Sequence, residues 1–183
     1  MQRAQPKRFV CAVLLLFAAS SPALTQEPTL KNAIPPELQP LIRMIGVWEV
    51  TAKCRYSPDA PVFKGRSIES VYWAESHQFI ISDKRGSTPG GWGSQLQVTT
   101  WDPIHKNFQL IELTPGRGST NMVMTVDGDV AKIIGTRTDS GHTTQFWLTS
   151  KYVSPTESHF RSECSVDDGP KWLFSEGIAK KVK

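Results

Sequence analysis

Between Asn107 and Thr138 the chain reads NFQLIELTPGRGSTNMVMTVDGDVAKIIGTRT. Three short runs, Asn107 to Leu113, Thr120 to Val126 and Val130 to Thr138, are rich in β-branched and apolar residues. Each carries the two-residue period of a strand with one face buried. What separates them is turn chemistry: Pro115-Gly116 in the first gap and Asp127-Gly128 in the second. Glycine accepts positive φ, and Asp bonds to nearby backbone, so both gaps read as tight reversals. Three consecutive hairpin-linked strands with no helical crossover are the start of an antiparallel meander.

Working outward, the same pattern runs from Gly46 to the end of the chain. Ten strands are expected: Val47 to Tyr56, Val62 to Trp73, Gln78 to Asp83, Ser94 to Trp101, the three above, Thr143 to Thr149, Ser158 to Cys164 and Lys171 to Ala179. Asp102-Pro103, Ser140-Gly141 and Asp167-Asp168-Gly169 supply further turns. A ten-stranded meander hides its edges most economically by closing on itself, so the expected fold is an all-β, antiparallel up-and-down barrel; a two-sheet sandwich is the alternative. Ahead of it, Leu38 to Ile45 suits a short helix, with Pro40 in its first turn and Gly46 at its end.

The N-terminus has a different character. Arg3, Lys7 and Arg8 precede an apolar run, Phe9 to Ala19, and Ser21-Pro22-Ala23 offers small residues at a cleavage point. That is the layout of a signal peptide over 1–23, followed by a flexible segment, 24–37, and the barrel domain, 38–183. The expected location is periplasmic or secreted. The formal charge of +4 falls to 18 basic against 17 acidic residues once the leader is removed, which gives no electrostatic footprint for nucleic acid. After the leader no stretch is long and apolar enough for a membrane-spanning helix. With 39% hydrophobic and 21% charged residues in 183, there is material for one core.

Beyond the leader, Cys54 and Cys164 are the two cysteines. In an oxidising compartment they read as a disulfide or as two separate buried thiols, and both readings stand on sequence alone. His77, His105, His142 and His159 are scattered without ligand spacing, so no metal is expected. A single His can serve a haem inside a barrel, with His77 or His159 the candidates, but a hydrogen-bonded strand or turn His is the commoner use and no cofactor is expected. There is no G-x-S-x-G. Among strand carboxylates, Glu69, Glu112 and Glu163 are those that would carry acid–base chemistry if two converged inside. The glycines of Thr114 to Ser119 lack a following helix and read as a hairpin, not a phosphate cradle.

Gly46-Val47-Trp48 follows the short helix and opens the first strand. Gly65, Trp73 before Phe79-Ile80, Thr100-Trp101-Asp102-Pro103, Asp127-Gly128-Asp129 and Ser165-Val166-Asp167-Asp168-Gly169-Pro170-Lys171-Trp172 come after it in that order. Over roughly Leu38 to Lys180 this resembles the lipocalin-like bacterial domain-of-unknown-function family numbered fifteen seventy-nine. The resemblance implies a calycin-type barrel whose G-x-W Trp plugs one end, covered by a basic residue near the last strand. Lys180, Lys181 and Lys183 are the candidates for that cover. It implies no chemistry.

A barrel of this size holds one small ligand or a filled core. If Trp48 points inward, Val50, Ala52, Cys54 and Tyr56 share its face. The same alternation groups Leu96, Val98 and Thr100; Phe108, Leu110 and Glu112; Met122, Met124 and Val126; Trp147 with Gln145 and Thr149; and Phe160, Ser162 and Cys164. The residues expected at a ligand are Trp48, Tyr56, Phe108, Met122, Met124, Trp147 and Phe160, together with Trp92 from Ser87 to Gly93, which reads as a flexible Gly-rich loop. The function expected is binding of a small hydrophobic or aromatic molecule without catalysis. The alternatives are an interaction or structural barrel acting through its surface loops, and an enzyme of unknown reaction.

Overall fold

The computed structural model describes residues 34–88 and 91–183, leaving aside the side chains of Thr88 and Trp92. The expected leader, and the flexible segment as far as residue 33, lie outside the described residues. Ten strands follow one another: β1 (Gly46–Cys54), β2 (Phe63–Trp73), β3 (Ile80–Thr88), β4 (Gly91–Asp102), β5 (Asn107–Thr114), β6 (Gly118–Asp127), β7 (Val130–Asp139), β8 (His142–Ser154), β9 (Glu157–Val166) and β10 (Trp172–Lys181). Each pairs antiparallel with the next, and β10 pairs with β1, so one sheet closes completely and the sandwich alternative falls away. The closing seam runs from Trp48 opposite Lys181 to Cys54 opposite Ser175.

The turns do what their residues require. Between β7 and β8 only Ser140 and Gly141 intervene, with φ of 53° and 83°, the mirror-image turn whose twist matches that of the flanking strands.

A 3-10 helix over Pro36–Met44 covers one end of the barrel. The expected span was Leu38 to Ile45; the helix starts two residues earlier because Pro36, like Pro40, has no N–H to leave unpaired. Side chains three apart eclipse in a 3-10 helix, so Leu38 and Leu41 fall on one face, and both are fully buried. Beneath them lies the apolar core, in which Trp48, Val71, Ile80, Phe108, Leu110 and Met124 meet. Burying each such side chain stabilises the fold by ~1.5–3 kcal/mol. Arg43 fixes the helix to the β6–β7 turn through Asp129 at 2.7 Å and the Gly128 carbonyl, and its guanidinium sits 4.7 Å from the centre of the Tyr152 ring.

Three expectations need correction. Ser87 to Gly93 does not form a flexible loop, because β3 and β4 stay paired up to Thr88 opposite Gly91, leaving only positions 89 and 90 between them. The resulting register puts Gln95, Gln97 and Thr99 inside opposite Lys84, Ser82 and Ile80. Leu96 therefore lies on the outer wall, 39% exposed, with Val98 and Thr100 on the same face. In β8 the inner residues are Leu148, Ser150 and Tyr152, and Trp147 faces outward, its ring lying 3.5 Å from the Lys171 ammonium.

Candidate functional site

Above the helix-covered core, the barrel holds a cavity of about 240 Å³ that is partly open to solvent. At ~30 Å³ of liquid volume per water, that is space for roughly eight waters, or one small organic molecule. Its walls divide along the barrel axis. Across β2 to β5 the lining is Glu69, Val71, Ser82, Lys84, Gln95, Gln97 and Glu112, all polar but one. Across the other strands it is mainly Val50, Met122, Met124, Ile133, Leu148 and Phe160, with Trp48 at the helix end.

Trp48 is held on every side. Its indole Nε1 donates to the Met44 carbonyl at 2.7 Å, the Tyr152 ring meets it edge-on with centroids 6.0 Å apart, and the Lys181 ammonium stands 4.9 Å from the ring centre. Of the three lysines considered above, Lys181 covers the ring, and its Nζ also donates to the Arg43 carbonyl at 3.0 Å. Burial pushes the Tyr152 phenol up to about 12, so it stays neutral.

On the polar wall, Ser82 donates to Glu69 at 2.5 Å and Gln95 to Glu112 at 3.3 Å. Burial raises the Glu112 carboxyl above its usual range, opposed by the positive charges of Lys84 and Arg137. Lys84 stands opposite Glu69 in register, yet its ammonium makes no hydrogen bond or ion pair with any described residue. Glu163, by contrast, faces outward against Arg161 at 3.2 Å.

The cavity brings together Trp48, Met122, Met124 and Phe160. Phe108 is buried below it, edge-on to Trp101 at 5.0 Å, in the core. Tyr56 lies past the end of β1, partly exposed, against Phe174 at 5.6 Å. Trp147 is on the outside. Trp92 pairs through its backbone with Ser87, and its side chain lies outside the described residues. Of the histidines weighed for haem, His77 sits in the β2–β3 turn against Trp73, while His159 is on the outer face bound to Glu157 at 2.7 Å. Among the described residues no three His, Cys, Asp or Glu side chains are grouped as metal ligands.

Cys54 and Cys164 do not form the bridge that sequence allowed; both thiols are free. β10 lies between their strands, and the row through Cys54 passes Ser175 to Ser162, two residues short of Cys164. Two strand spacings are ~9–10 Å, already beyond the ~7 Å Cα limit of a disulfide. Burial raises both thiols, Cys164 to about 12, so neither is a thiolate nucleophile at neutral pH. A reductant should consequently leave the melting temperature unchanged within about 1 °C. A bridge closing so long a loop contributes ~4–5 kcal/mol, or roughly 10–20 °C, and a drop of that size on reduction would overturn the assignment.

Against known proteins, the fold alone finds a counterpart. No family model matches the chain, and no curated protein does. Among solved structures the chain is similar to the crystal structure of Rv2717c from M. tuberculosis, with a TM-score of 0.63 at 12% identity, over 82% of this chain and all of that one. At that identity the likeness concerns architecture, and what the barrel does must come from its own residues.

The polar wall is what sequence reasoning missed. Lys84, Gln95 and Gln97 sit on the parity that alternation assigns to solvent, and Tyr152 lies three residues beyond the expected end of β8. The interior position of Glu112, on the same face of β5 as Phe108 and Leu110, was the visible signal.

Proposed function

We propose that this chain is an exported, lipocalin-like barrel that binds one small, partly apolar molecule in its interior and performs no chemistry on it. The observation that carries the reading is the cavity of about 240 Å³ with a Met- and Phe-rich wall facing a wall of convergent polar groups. Ligand sites combine a mainly apolar lining with a few placed polar groups, and flexible Met side chains adapt to what they hold. Support for the lipocalin-like reading comes from Gly46-Val47-Trp48 following the 3-10 helix, with Lys181 over the Trp ring. The same features, with the later turns, support membership of the domain family numbered fifteen seventy-nine. Support for export comes from the cations and apolar run of 1–23.

A native mass spectrum of the protein purified from the exported fraction tests both parts. A single small-molecule adduct per chain, lost on denaturation, is expected on a polypeptide that starts at Leu24. A bare mass, with no binding of small aromatic or aliphatic probes, would overturn the binding reading. An intact Met1 start would overturn cleavage after Ala23, and absence of the protein from the exported fraction would overturn export.

A further inference from the structure

The inner surface carries more uncommitted positive than negative charge. Of its two carboxylates, Glu69 already accepts from Ser82 at 2.5 Å, and Glu112 accepts from Gln95 while burial moves it toward its neutral form. Of its cations, Lys181 is committed to the Arg43 carbonyl and the Trp48 ring, and two have no such partners. Lys84 lines the cavity, and its ammonium makes neither a hydrogen bond nor an ion pair with any described residue. Arg137 stands on the inner face of β7, its guanidinium 5.4 Å from the centre of the Phe146 ring, and its buried Nε has no hydrogen-bond partner. Both act on Glu112 from within electrostatic range. A buried donor with no acceptor is costly, and a cation left so in a cavity is stabilised by whatever anion enters.

We infer that the molecule held in the barrel is a small amphipathic anion, of the class of an aryl- or alkyl-substituted carboxylate. Its acidic end meets the Lys84 ammonium, with Arg137 as the second cation. Its apolar body lies on Met122, Met124, Leu148 and Phe160. The division of the walls favours this orientation: Lys84 sits on β3 among Ser82, Gln95 and Gln97, while Leu148 and Phe160 line the cavity from β8 and β9, where the Ser150 and Ser158 hydroxyls are already bonded to each other at 2.6 Å. A neutral apolar molecule would leave Lys84 unpaired, and a cation would have to displace Ser82 or Gln95 from the carboxylates while standing beside Lys84. The inference rests on the binding reading and adds the charge of the ligand to it.

Three probes of one shape separate the two: 3-phenylpropionate, 3-phenylpropanol and 3-phenylpropylamine, titrated by calorimetry into the mature protein. The propionate is expected to bind at least about tenfold more tightly than either analogue, the scale of one charge-assisted contact. In Lys84→Met that preference should disappear while the alcohol binds as before. Circular dichroism melts check folding, and Lys84→Gln replaces the Met variant if the latter does not fold. Equal binding of all three would overturn the anion inference and leave the cavity as a binding site. Tightest binding by the amine would overturn it in favour of the carboxylates. A preference that survives in the Lys84 variant would remove Lys84 from the role, and no binding of any probe at millimolar concentration would overturn the cavity reading as well.

Discussion

Trp48→Ala should destabilise the protein by ~3–5 kcal/mol, read as a fall in denaturation midpoint at unchanged denaturant slope. The indole is 4% exposed and fills the junction between the helix-covered core and the cavity, so its removal leaves a void that β-sheet walls cannot collapse to fill. It also deprives the Met44 carbonyl of its donor and removes the ring on which Tyr152 and Lys181 rest. Trp48→Phe keeps an aromatic ring but not the N–H, and should lose roughly 1–2 kcal/mol, the scale of one unmade buried hydrogen bond. A loss below about 1 kcal/mol for the Ala variant would mean that Trp48 is not a structural plug.

The second large effect comes from the smallest side chain. Gly177 lies in β10 between Ala52 of β1 and Phe160 of β9. A Cβ built there falls on the Thr51 carbonyl oxygen, 2.8 Å from Phe160 Cζ and 2.9 Å from the Ala52 Cα. Because two of those neighbours are backbone of the paired strand, relief requires the closing seam to part. Gly177→Ala should cost about 3 kcal/mol, the upper end of overpacking. Gly65→Ala is the control, since a Cβ there meets nothing closer than Phe63 Cε1 at 3.4 Å. Equal losses in the two variants would show that the seam tolerates the extra methyl.

The ten strands were readable from turn chemistry and alternation because in most of them the inner residues are apolar, as in Phe108-x-Leu110 and Met122-x-Met124. Two strands defeated that rule for opposite reasons. In β8, Phe146, Trp147 and Leu148 are consecutive apolar residues, so hydropathy places neither face inside. In β4 the apolar residues Leu96 and Val98 are the outer ones. There the register set by the β3–β4 hairpin outweighs hydropathy, since a one-residue slip would turn every side chain over. With Leu113 and Ile111 opposite them on β5, they form an apolar patch on the outer wall. The site was legible in its aromatic and Met half and illegible in its polar half. Alternation takes Gln and Lys in a strand as solvent-facing, and a polar-lined cavity inverts that premise. The thiols were on the inner parity as expected, but pairing depends on which strand lies between, and that is a property of closure.

The β1–β10 seam has a consequence for the order of events during synthesis. The first strand finds one neighbour, β2, within moments of leaving the ribosome, but its other neighbour is the last of the ten to be made. Until Trp172–Lys181 emerges, the nascent sheet carries two unsatisfied margins, each a template for joining another chain. Loop-closure entropy also weighs against this most distant pairing in the fold, which makes the seam a slow step. Export in an unfolded state would postpone it to the far side of the membrane, where all ten strands are available together. A chain shortened by its final strand would keep most of its hairpins and still present open edges to its neighbours.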